Sequence, residues 1–126
     1  MNTFPKTYTD CCHILSIDES KRLETVSWFY DISKIVNQDE KLKYESALNH
    51  LNRLLICRDA YWKILGDWQP NWDDSSVKFT IRTHKDELIL SSTVLLNATF
   101  VFPTEEVRNM FYENFKDEIN YCKYLI

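Results

Sequence analysis

The residues of this chain best suited to hold a ligand are arginines and indoles. Arg58, Arg82 and Arg108 stand at helix seams or element ends, Trp62, Trp68 and Trp72 crowd around one glycine, and Asn97 follows between two apolar runs. Guanidinium groups form charge-assisted bonds to carboxylates and phosphates, and indoles stack on flat rings, so the mixture suits an anionic planar ligand of the nucleotide kind. Arg58, Trp72, Arg82, Asn97 and Arg108 are the candidate ligand-binding residues, Asn97 because an amide can read a base edge. Plainer roles compete at each position. Arg58, in an apolar seam, could pair with a carboxylate or reach solvent along its stem. Arg108, about four residues into the last helix, could pair with Glu105. Arg82 ends a strand on its polar face, and Trp68 and Trp72 could simply cover the edge between a helix layer and a sheet.

Other chemistries are poorly served. Gly66 is the only glycine, whereas a P-loop or a dinucleotide fingerprint needs several to bring backbone N–H groups against phosphate. There is no G-x-S-x-G elbow, H-E-x-x-H pair or kinase signature, and the acid pairs Asp73–Asp74 and Glu105–Glu106 are neighbours whose side chains diverge. Cys11, Cys12, Cys57 and Cys122 form no C-x-x-C pair, and His13, His50 and His84 lack ligand spacing beyond the adjacent Cys12–His13. Reduced core thiols, no metal, no cofactor and no enzymatic activity are expected. A net charge of -4, from 15 basic and 19 acidic residues spread along the chain, offers no stripe for DNA or RNA. No run approaches the roughly 18 to 20 apolar residues of a membrane span, so neither a membrane nor export is expected.

The elements that would position these residues follow from periodicity. Thr7 or Thr9 caps a short helix running to about Leu15, with Asp10 in its first turn. Leu23, Val26, Phe29, Ile32 and Val36 predict a second helix over about Lys21 to Asn37. A third, from about Glu40 to Leu65 with Asp39 as a possible cap, carries the seam Tyr44, Leu48, Leu51, Leu55, Arg58, Trp62 and Leu65, and Gly66 and Pro70 end it. The period then changes to two: Val77, Phe79 and Ile81 alternate with Lys78, Thr80 and Arg82 in a half-buried strand, followed by the polar turn "THKDE". "LILSSTVLL" and "ATFVF", bent near Asn97, complete a three-stranded antiparallel meander. Thr104 caps a closing helix with the stripe Val107, Phe111, Phe115, Ile119, Cys122 and Leu125. The expectation is a single α+β domain over residues 1–126: N-terminal helices, the meander, and a C-terminal helix packed on one sheet face.

The stretch "RDAYWKILGDWQPNWDD", the strands, and "FVFPTEEVRNMFYENF" followed by "YCKYLI" are similar to small proteins encoded by phages and prophages of gut Bacteroidota, over roughly residues 55 to 126. The resemblance implies a phage setting, hence the host cytoplasm, and a fold rather than a mechanism. By analogy with small phage proteins that act by stoichiometric binding, it suggests an inhibitor of host antiphage defence that sequesters a cyclic nucleotide or cyclic ADP-ribose type signal. A phage structural or protein-interaction component, binding through an aromatic surface patch, is the other reading. The seam from Tyr44 to Leu65 is long enough to serve both a core and a symmetric partner, so a homo-oligomer is expected.

Overall fold

The computed structural model describes residues 3–23, 38–94 and 98–126, and for 38–44 the backbone alone. Thr7 begins the first helix: its backbone is extended and its hydroxyl accepts the Asp10 N–H at 3.2 Å, so α1 runs Tyr8–Leu15 with Asp10 in its first turn. Ser16 closes it in the left-handed region, at φ 55°. The residues that follow are not helical where the helix over 21–37 was expected to begin. The buried Asn52 amide accepts the Leu23 N–H at 2.8 Å and donates to the Lys21 carbonyl at 2.9 Å, so it occupies the carbonyl that a helix starting at Lys21 would use for its first bond. The rest of that expected helix lies outside the described residues.

Helix α2 runs Gln38–Ile64, so Asp39 lies inside its first turn rather than at the cap. Gly66, at φ 79°, and Asp67, at φ 57°, turn the chain out of it, with both N–H groups returning to the Lys63 carbonyl. The deepest line on α2 is Ala47, Leu54, Cys57 and Tyr61, each 0 or 1 % exposed. That line is displaced by one residue from the expected seam, whose members Arg58, Trp62 and Leu65 are only half-buried. The displacement turns Arg58 and Trp62 toward the sheet.

Strands β1 (Lys78–His84) and β2 (Glu87–Thr93) form a hairpin that pairs His84 with Glu87 across a two-residue turn, and both turn residues have positive φ, 51° at Lys85 and 66° at Asp86. This is the mirror-image turn that matches strand twist. Strand β3 (Phe100–Phe102) pairs with β1, not β2, giving the antiparallel order β2-β1-β3. The antiparallel sheet is as expected; the meander connection is not. The central place goes to the strand covered on both faces, for Ile81 and Thr80 are each 1 % exposed and Lys78 2 %, whereas Val77 is exposed. The expected half-buried alternation therefore fails in β1. Thr104 then caps α3 (Glu105–Tyr121), accepting the Val107 N–H, and a 3-10 turn at Lys123–Leu125 follows.

One core joins these layers in an α+β fold. Phe111, fully buried on α3, lies 5.0 Å from both Phe102 and Phe115 and meets Tyr61 edge-on at 5.1 Å. The Tyr61 hydroxyl donates to the Pro5 carbonyl and accepts from the Asn114 amide, both at 2.9 Å, tying the N-terminal segment, α2 and α3 together. Among the described residues, no helix is long and apolar enough to cross a membrane.

Candidate functional site

Arg58 and Trp62 dock α2 on the outer edge of the sheet. The Arg58 Nη1 donates to the Thr99 carbonyl at 2.9 Å, and the Trp62 indole N–H donates to the Val101 carbonyl, also at 2.9 Å. Four residues along a helix rise about 6 Å, and two along a strand span about 6.6 to 6.8 Å, so side chains one turn apart meet alternate carbonyls of one edge. The guanidinium stacks 4.2 Å over the Trp62 ring, and its Nε and Nη2 both bond the Asp59 carboxylate. Arg58 is therefore paired inside the chain, and its place in an apolar seam requires no second copy.

The indole cluster divides at Trp62. Trp68 meets Trp62 edge-on at 5.6 Å and lies with Asp59 and Lys63 on one side; Trp72 lies on the other. On the Trp72 side is a cleft of about 420 Å³, walled among the described residues by Leu23, Leu55, Arg58, Trp62, Pro70, Trp72, Ala98 and Thr99. Trp72 is held from beneath. The Lys78 ammonium, 5.2 Å from the ring centre, donates to the Asp74 carboxylate, the Ser76 carbonyl and the Ser76 hydroxyl, and so spends all three of its protons on the connector. Ser76 and Lys78 in turn hold the Asp74 carboxyl at about 2, below its ordinary range. The connector folds back over the polar face of β1, and Trp72 both covers Lys78 and lines the cleft.

Arg82 lies in the middle of β1's second half rather than at its end. Among the described residues its buried Nε has no hydrogen-bond partner, nor has the buried Thr80 hydroxyl on the same face. Arg108 is buried on the other side of the sheet, where Nη1 donates to the Ser91 carbonyl at 3.0 Å, Nη2 and Nε bond the Asn109 amide oxygen, and Glu105 is 3.5 Å away. The expected pair with Glu105 is thus its weakest contact. Of the five candidates, the structure brings Arg58 and Trp72 into one cleft and sets Arg82 beside it across Ala98–Thr99, whereas Arg108 bonds the opposite edge strand. Asn97 lies outside the described residues.

Sequence reasoning missed Lys78, Asp59, Asn52 and Tyr61. The Asp59 next to Arg58 was a visible signal for the pair; a lysine in an alternating strand gave none. The four cysteines are free and buried. Cys11 beside it and burial push the Cys57 thiol up, and burial pushes Cys122 up to about 12, so neither is poised as a nucleophile. Comparison with protein-family models, curated proteins and solved structures gave no match to this chain.

Proposed function

We propose that this is a non-enzymatic binding protein whose cleft takes a planar, nucleotide-like ligand between Trp72 and the Arg58–Trp62 pair. The observation that carries the reading is the cleft itself: two indoles and a guanidinium already fixed by Asp59, Thr99 and Trp62 enclose about 420 Å³, a volume suited to one ring system, in side chains that need little reordering on binding. Sequestration of a cyclic nucleotide or cyclic ADP-ribose type signal is the form of this function that the resemblance to small phage proteins supports. The test is a thermal-shift and tryptophan-fluorescence screen against those compounds. A ligand at 100 times its Kd adds roughly 2.7 kcal/mol of stability. Trp72→Ala should weaken binding by about 1 to 3 kcal/mol, the range of lost base stacking, and absence of any shift or quenching across the set refutes the reading.

A second reading, docking of a partner protein through an aromatic patch, is favoured by one observation. Tyr121, the last residue of α3, is 62 % exposed and Tyr124, in the 3-10 turn after it, 42 % exposed, and Tyr121 is stacked on His50 at 4.6 Å.

A further inference from the structure

Strand β1 outruns its neighbour. Strand β3 pairs only with Phe79, Thr80 and Ile81, so Arg82 and Thr83 stand beyond its end and open a cavity of about 280 Å³ toward Ala98–Thr99 and Leu125–Ile126. Arg82 makes no hydrogen bond or ion pair among the described residues, and its Nε is buried. A buried donor without an acceptor costs about 1 to 3 kcal/mol, more for a charged group, so a native fold keeps one only where something else satisfies it. The neighbouring Thr80 hydroxyl, on a residue 1 % exposed and on the same face two residues earlier, has no partner among the described residues either. Arg58 and Arg108 differ on this point, since Asp59 engages one and Asn109, Ser91 and Glu105 the other.

We infer that Arg82 is an anion-binding residue, its cavity accepting a carboxylate or phosphate group through the unpaired guanidinium. A guanidinium offers charge-assisted N–H bonds to the oxygens of such a group, and apolar Leu125 and Ile126 also line the cavity, which thins the competing water and strengthens the pairing. The inference rests on the proposed function in one respect: Ala98 and Thr99 border both this cavity and the Trp72 cleft, so one ligand can lay its ring against Trp72 and its anionic group on Arg82.

The experiment uses the full chain at constant ionic strength, with inorganic phosphate, succinate and adenosine 5′-monophosphate as probes, reading thermal unfolding and tryptophan fluorescence. Phosphate or succinate should raise the melting temperature of the wild type dose-dependently, which of the two does so naming the anion. Arg82→Met should abolish that rise and weaken the nucleotide by about ten- to a hundredfold. Without any probe the variant should melt at or above the wild-type temperature, because it deletes an unsatisfied donor, whereas loss of a structural arginine would lower it. Should Arg82→Met not fold, Arg82→Gln, which keeps a polar stem without the charge, must lose the anion-dependent rise. Anion protection undiminished in the folded variant, or none in the wild type, overturns the inference. Nucleotide quenching that needs Trp72 but not Arg82 overturns it while leaving the proposed function standing. Protection by phosphate through Arg82 with no quenching by the nucleotide does the reverse.

Discussion

Replacing Trp62 by phenylalanine tests the account of how α2 meets the sheet. The change keeps an aromatic ring on the helix and removes one donor, the indole N–H that bonds the Val101 carbonyl at 2.9 Å. Val101 is fully buried, so that carbonyl is left without water as well as without a partner, at a cost of about 1 to 3 kcal/mol. The Arg58 guanidinium, 4.2 Å over the indole, would stack on a weaker ring, losing about another 0.5 kcal/mol. The two effects together make Trp62→Phe about 1.5 to 3.5 kcal/mol less stable than the wild type, a large share of the stability of a small domain. Trp68→Phe is the control, since Trp68 packs edge-on against Trp62 and makes no hydrogen bond to the sheet among the described residues. It should cost well under 1 kcal/mol. Urea denaturation followed by circular dichroism measures both. Equal and small losses in the two variants would refute the edge-docking role of Trp62.

The hairpin turn holds a lysine and an aspartate at positive φ, where Asn and Gly sit with least strain; Lys85→Asn with Asp86→Gly should raise the unfolding free energy by about 0.5 to 1 kcal/mol in the same denaturation assay. The Asp74 carboxyl titrates at about 2 in the folded chain and near its ordinary value when unfolded, so its contribution is complete above about pH 4 and disappears as pH falls through about 2. Asp74→Asn should therefore flatten that part of the acid-unfolding curve. Light scattering at tens of micromolar tests the homo-oligomer proposed from the length of α2: a monomeric mass would leave that helix serving the core alone.

What could be read in advance was whatever a local pattern decides. The α3 stripe from Val107 to Cys122 faces one core only, and the Thr104 cap and the Gly66 stop act within a few residues, so periodicity and residue type located them, while the first cap was narrowed to Thr7 or Thr9, of which Thr7 serves. Burial from a distance defeated the same reasoning in β1. Lys78 and Thr80 look solvent-facing because they alternate with Phe79 and Ile81, yet a connector anchored by Asp74 and Trp72 closes over that face. The pairing of β3 with β1 likewise depends on which strand is covered twice, and local alternation carries no information on that. Among the site residues, Arg58 was conspicuous for being polar in an apolar seam and proves to be satisfied by its neighbours. Arg82 was a candidate by residue type alone, since a charged residue on a polar strand face is ordinary; what sets it apart, a buried Nε with no partner among the described residues, is visible only in the fold.

The docking of α2 also decides how far this sheet can grow. The outer carbonyls of the β3 side are engaged by Arg58 and Trp62, while no described element pairs with the outer side of β2, Glu87–Thr93. Among the described residues, such a sheet has a single outer side where another strand can join. Two copies meeting there would do so about a two-fold axis, each covering the other's β2 side, and the joined sheet would end at both margins in a helix-capped strand. A sheet open at both sides has no such terminus and can add copies without limit, the route to fibres. Besides walling the cleft, Arg58 and Trp62 thus occupy the edge at which a further strand would otherwise pair with β3, which would keep any strand-mediated association finite.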